Sequence, residues 1–129
     1  MPVAHWDNII ITYSAAYLTV NAYVNGALQS STSALSDSNS ANSLYIGQGY
    51  GGYMDGDIAN VQIYNTSLST NEIQYLYTEG IGGAPLKLQN LVGWWPLNGN
   101  ANDYSGDNNN GAPSGVTYTS QWTSGYTPP

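Results

Sequence analysis

Between residues 6 and 30 the side chains alternate between apolar and polar, and the alternation is broken by Asn25-Gly26. Ile9, Ile11 and Tyr13 fall on one side, with Asn8, Ile10 and Thr12 on the other. Over residues 17–25, Leu18, Val20, Ala22 and Val24 oppose Tyr17, Thr19, Asn21 and Tyr23. A period of two places alternate side chains on opposite faces of a strand, and β-branched and aromatic residues suit that pleated surface. Asn and Gly both tolerate positive φ, so Asn25-Gly26 predicts a two-residue hairpin turn, with the chain returning over residues 27–30.

The same pattern continues in shorter pieces. Residues 31–42 are a polar run of Ser, Ala, Asp and Asn that reads as a surface loop. Residues 43–47 (SLYIG) read as a short strand, residues 48–56 as a glycine-rich loop, and residues 57–65 (DIANVQIYN) as a further strand. Ile58, Val61 and Ile63 are its core candidates, and their uneven spacing predicts a bulge near Ala59-Asn60. One helix is signalled at about 69–79. Ser69 and Glu72 have the spacing of a capping box, Ile73, Leu76 and Tyr77 form an apolar face, and Gly80 supplies the stop.

After a Gly/Pro linker at residues 81–85 come an apolar strand at 90–97 (NLVGWWPL), a polar loop at 98–111 and a last strand at 115–122. Pro96 places the end of the apolar strand at a sheet edge or bulge. The chain lacks Phe, so Trp6, Trp94 and Trp95 are the expected large core residues. About seven short strands, many turns and one short helix predict an all-β antiparallel sandwich of jelly-roll type.

Charge narrows the partners. The chain has 129 residues, one Lys+Arg against eight Asp+Glu, a net charge of −7 and no cysteine. One cation cannot neutralise a row of phosphates, so nucleic acid is an unsuitable partner. No apolar run approaches the ~20 residues of a membrane-spanning helix, so membrane insertion is not expected. The first residues, Met1 to Trp6, lack the basic-then-apolar order of a signal peptide. An exported natural protein would therefore be represented here by its mature or excised portion.

Two stretches resemble a known family. Gly56-Asp57-Ile58-Ala59-Asn60-Val61-Gln62-Ile63-Tyr64-Asn65, followed by Leu68-Ser69-Thr70-Asn71-Glu72-Ile73, resembles the closing strand and helix of laminin G-like, concanavalin A-type jelly rolls. The Trp6-to-Gly26 segment and Tyr45-Ile46-Gly47 resemble the strands preceding it. Leu91-Val92-Gly93-Trp94-Trp95-Pro96-Leu97-Asn98-Gly99-Asn100-Ala101-Asn102-Asp103-Tyr104-Ser105-Gly106 resembles the opening of the same domain type, yet it follows the closing portion. The chain thus divides into a closing portion, residues 1–84, and an opening-type segment, residues 85–129. That segment completes the sandwich in the same chain by permutation, completes a neighbouring chain by strand exchange, or belongs to a longer tandem protein.

Four sites follow. Asp103, Asp107 and Asn102 sit in an oxygen-rich loop. The resemblance implies calcium there, against a structural alternative in which Asp and Asn bond their own backbone. Ala59 stands where the family commonly carries an acidic residue, which removes one ligand. Tyr50, Tyr53, Tyr104 and Trp122 are candidates for stacking on a sugar or a protein partner. Their alternative role is to cover surface or form a subunit contact. Catalysis is not expected. Asp55 and Asp57 are near in sequence but no E-x-D-x-x-E type strand is present, His5 is the one histidine, and Glu72 is explained as a cap. Asn65-Thr66-Ser67 is an N-x-S glycosylation acceptor.

The expectation is therefore a non-catalytic extracellular or cell-surface module, acting in adhesion or in glycan or protein binding. Homo-oligomer formation or strand exchange is expected beside it. The alternatives are a structural subunit of a strand-exchanged oligomer or surface filament, and a glycan-hydrolysing enzyme.

Overall fold

The computed structural model describes residues 5–33 and 41–119. All strand pairings are antiparallel, and a single α-helix accompanies them among the described residues. β1 (Ile9–Ser14), β2 (Thr19–Val24) and β3 (Ala27–Ser33) form a three-stranded sheet in that order. Asn25 (φ 51°) and Gly26 (φ 79°) both lie in the left-handed region between the paired Val24 and Ala27, the requirement of a two-residue type I′ turn. The Asn25 side chain then ties the hairpin to the start of β1. Its Oδ1 accepts from the Asn8 N–H at 2.9 Å, and its Nδ2 donates to Asp7 at 2.9 Å.

Several strands differ from the sequence expectation. β1 starts at Ile9 rather than residue 6, and β3 runs on to Ser33, because β2 offers ladder partners over that length. Residues 43–47 enter no ladder among the described residues. The pairing there is the two-residue ladder of β4 (Gln48–Gly49) with β5 (Gly52–Tyr53), inside the stretch expected to be loop. Residues 115–119 also lie outside any described ladder, and residues 120–122 of that expected strand are outside the described residues.

β6 (Val61–Tyr64) pairs with β7 (Leu91–Trp95) of the same chain, with Val61 opposite Trp95 and Gln62 opposite Trp94. The irregularity expected near Ala59-Asn60 takes the form of a left-handed Asn60 (φ 53°) just before β6, and the register shift comes later, at Ile63/Tyr64. Between these strands lies α1 (Thr70–Glu79). Its capping box is complete: Ser69 Oγ accepts from the Glu72 N–H at 3.3 Å, and Glu72 Oε2 accepts from the Ser69 N–H at 2.7 Å. Gly80, at φ 82°, ends the helix. Gln74 donates to the Gly26 carbonyl and so joins α1 to the β2–β3 turn.

The buried apolar core among the described residues is Ile73 and Leu76 of α1 and Leu91 and Trp95 of β7, with Pro85 and Pro96 buried beside them. β7 alternates strictly: Leu91, Gly93 and Trp95 are buried, while Val92 and Trp94 are half-buried. Trp6 and Tyr77, expected inside, are exposed, since no second layer among the described residues covers them. The sheet of β1–β3 shows the same thing. Ile9, Ile11, Ala22 and Val24 share one face, yet Ile9 and Ile11 are 67% and 68% exposed. No described helix is long and apolar enough to cross a membrane.

Candidate functional site

The loop after β7 is organised by one carboxylate. Asp103 Oδ1 accepts from the backbone N–H of Trp94 (2.9 Å) and of Ser105 (2.8 Å), while Oδ2 accepts from Ser105 Oγ (2.9 Å) and the Asn109 N–H (2.9 Å). Asn110 Oδ1 closes the ring by accepting from the Asp103 N–H at 2.9 Å. Tyr104 N–H donates to the Trp94 carbonyl at 2.8 Å, so the loop runs along the edge of β7 opposite β6. Trp95 Nε1 donates to the Asn109 carbonyl at 2.9 Å and pins the loop's far side. Burial alone would raise the Asp103 carboxyl; the hydrogen bonds from Trp94, Ser105 and Asn109 outweigh it and hold the group below the usual carboxylate range.

Asp103 is 8% exposed. A carboxylate has about four lone-pair sites, and all four here are taken by the chain's own donors. Asp107 and Asn102 are exposed, and the backbone N–H of each donates to a neighbouring loop side chain. No group of three or more His, Cys, Asp or Glu side chains converges among the described residues. A calcium ion needs several free oxygens around one point, so Asp103, Asp107 and Asn102 as arranged do not fit one.

The aromatic candidates separate into two places. Tyr104 packs edge-on against Trp94, with ring centroids 6.3 Å apart, and its hydroxyl accepts from Asn100 Nδ2. Tyr50 and Tyr53 stand on the β4–β5 hairpin, where Tyr50 is fully exposed and Tyr53 is 83% exposed. Met54 beside them is also exposed. The tight ladder fixes both tyrosines at a hairpin where Gly49 faces Gly52. Trp122 lies outside the described residues.

A polar network at the start of β6 was not foreseen. Asn60 Oδ1 accepts from Trp94 Nε1 (2.9 Å) and Gln62 Nε2 (3.0 Å), and Asn60 Nδ2 donates to the Gly83 carbonyl (2.9 Å). Gln62 Oε1 in turn accepts from the Tyr64 hydroxyl (2.7 Å), which accepts from the Leu86 N–H (3.0 Å). Burial pushes the Tyr64 hydroxyl above its usual value; the Leu86 N–H opposes this, and the charge of Glu72 adds to it. The sequence clue was the spacing of Asn60, Gln62 and Tyr64 at every second residue. The network holds the 81–87 linker against β6 and β7.

The carboxylates weighed for catalysis fall apart in the same way. Glu72 is held below its usual value first by the Ser69 N–H and then by Lys87, whose Nζ lies 3.0 Å away. His5 pairs with Asp7 at 3.0 Å on the surface. Asp55 and Asp57 are exposed. In the acceptor tripeptide, Asn65 is exposed, and its Oδ1 accepts from Asn90 Nδ2 at 3.0 Å.

Antiparallel strands around a signature strand-and-helix closure define an all-β fold of the concanavalin A type. Residues 1–74 match the family described as the concanavalin A-like lectin/glucanases superfamily, and the chain belongs to this laminin G-like family. The chain is also similar to a crystal structure of a segment of an S-layer domain-containing protein from Clostridium thermocellum, with 24% identity and a TM-score of 0.52. That likeness covers 60% of this chain and 41% of the other, and it concerns the fold. Curated proteins gave no match.

Proposed function

We propose that the protein is a non-catalytic interaction module of the cell surface or extracellular space, and that the β4–β5 hairpin is its contact point. One observation carries this: Tyr50 and Tyr53 present their rings to solvent from a two-residue ladder, with Met54 alongside. A planar ring with a polar tip, held at low entropic cost, suits stacking on a sugar or a protein surface. An extracellular setting accords with the family and with the similar structure's coming from an S-layer domain-containing protein. A non-catalytic role accords with the commitment of Glu72, Asp103 and Asp7 to structural partners.

The test is binding of the full chain to a panel of cell-wall polysaccharides and glycans, beside Tyr50→Ala/Tyr53→Ala. Loss of at least tenfold in affinity in the double variant is expected. Equal binding by both proteins, or none by the parent, refutes the hairpin assignment. Cleavage of any panel member that disappears in Asp55→Asn would instead make the protein an enzyme.

A second reading, a strand-exchanged structural subunit, is favoured by the open sheet edges: among the described residues β1 and β6 each have a ladder partner on one side alone.

A further inference from the structure

The open edges of β1 and β6 flank one groove of about 980 Å³, lined along the whole of β1 and along β6 from Gln62 to Tyr64. In an antiparallel ladder, backbone groups point alternately toward and away from the partner strand. Asn25 N–H donates to the Asn8 carbonyl, so the β1 groups facing β2 continue at Ile10, Thr12 and Ser14. The N–H and C=O of Ile9, Ile11 and Tyr13 therefore face the other way, and the Ser67 hydroxyl does reach the Tyr13 carbonyl from that side. No charged residue lines the groove among the described residues, although the chain carries a net charge of −7. Exposed edges are normally blunted with Lys, Pro or a covering loop. β1 reads Ile-Ile-Ile-Thr-Tyr-Ser and has none of these side chains.

Two polar side-chain atoms at this groove lack a partner among the described residues. Asn8 Oδ1 and Tyr13 OH are screened from solvent and have no hydrogen-bond partner, and both residues line the groove. Buried polar groups are normally paired, so such orphans call for an explanation. An inserted strand supplies backbone N–H groups to the outward carbonyls of Ile9 and Ile11 at that edge.

The chain holds a segment of matching chemistry. Val116, Thr117, Tyr118 and Thr119 are all strong strand formers, alternate apolar and hydroxyl side chains, and enter no described ladder. Val116 and Tyr118 are 56% and 37% exposed. Their own groove is a poor destination. The preceding loop lies along the far edge of β7 and is fixed by Gly111 N–H donating to the Ala101 carbonyl at 2.7 Å. The groove lies against β1 and β6, on the other side of β7 from that loop.

We propose that residues 115–119 of a second copy of this chain insert as a strand into the groove between β1 and β6. This rests on the strand-exchange reading above and specifies its donor and acceptor. The acceptor groove and the donor strand are different surfaces, so the contact is head-to-tail and either closes reciprocally or propagates.

The experiment measures mass by light scattering on the full chain over a range of concentrations. Thr117→Pro removes a ladder N–H from the donor and leaves the groove intact. Ile11→Lys blunts the acceptor at an exposed side chain and leaves the donor intact. The parent is expected at no less than twice its 13.8 kDa, rising with concentration. Each variant alone is expected as a monomer, and their equimolar mixture as a dimer, since one good donor then meets one good groove. A parent that stays monomeric overturns both the inference and the strand-exchange reading. A parent that assembles, with Thr117→Pro assembling equally well, overturns the donor assignment while the broader reading stands. Monomeric parent with amides 116–119 protected from hydrogen exchange would show insertion into the chain's own groove and overturn the second copy.

Discussion

Asp103 Oδ1 takes the backbone N–H of Trp94 at 2.9 Å, and that bond fastens the loop after β7 to the strand that pairs with β6. Removing the carboxylate leaves the N–H groups of Trp94, Ser105 and Asn109 without their acceptor. Hydrogen bonds to a charged group are worth ~1.5–3 kcal/mol each, and part of the cost is recovered by water reaching the loop. Asp103→Ala is expected to cost about 2–4 kcal/mol in urea unfolding. A change below ~0.5 kcal/mol would show the loop to be an ornament on the fold.

The same group sets an acid limit. Its native pKa is lowered, so its contribution is fully present above the unfolded carboxylate value and fades as pH falls through the native one. Glu72 is lowered as well and acts in the same direction. Stability should therefore fall as pH drops below about 4, the unfolded value for Asp and Glu. Asp103→Asn should flatten that fall, as followed by thermal melts at stepwise lower pH. An unchanged slope would place the acid sensitivity elsewhere.

Calcium bears on the same loop. With four internal donors on Asp103, a metal would first have to break the bonds that shape the site. The expected outcome is one melting temperature in millimolar calcium and in chelator. A clear rise with calcium would mean that the loop rearranges to free its oxygens, and would restore the ligand role for Asp103, Asp107 and Asn102.

How much of this was legible depends on how local each cause is. The Asn25-Gly26 turn and the Ser69/Glu72 cap are decided within a few residues, and both formed as the sequence implied. The 98–111 loop was recognisable as turn chemistry, but the choice of Asp103 over Asp107 as its centre depends on where Trp94 lies. Residues 43–47 and 115–119 have strand composition yet enter no ladder among the described residues, because a strand is completed by a neighbour and not by its own sequence. For the same reason Trp6, Ile9 and Ile11 look like core in sequence and lie exposed in the fold. The Asn60 network joins residues 34 positions apart through Trp94, a contact that local pattern does not reveal.

The helix cap offers a calibrated local test. Ser69→Ala removes the acceptor for the Glu72 N–H and is expected to cost about 1 kcal/mol. Glu72→Gln keeps an acceptor for the Ser69 N–H and loses the ion pair with Lys87, an exposed contact of low value. The first variant should thus be the more damaging in chemical unfolding. The reverse order would mean that the Lys87 pair, rather than the cap, holds α1 to the 81–87 linker.

The two adjacent tryptophans should separate by mechanism. Trp95 is buried, and its ring folds over Gly93 on the same face of β7, where any Cβ would collide with the indole. Trp95→Ala opens a cavity beneath the loop and is expected to cost about 3–5 kcal/mol. Gly93→Ala should destabilise too, by displacing that ring, although it adds a methyl group to an apolar position. Trp94 is half-buried, and its Nε1 donates to Asn60. Trp94→Phe keeps most of the apolar surface and leaves Asn60 Oδ1 with Gln62 as its remaining donor, for a cost near 1 kcal/mol. Equal losses for Trp95→Ala and Trp94→Phe in urea unfolding would contradict the inside-outside alternation of β7.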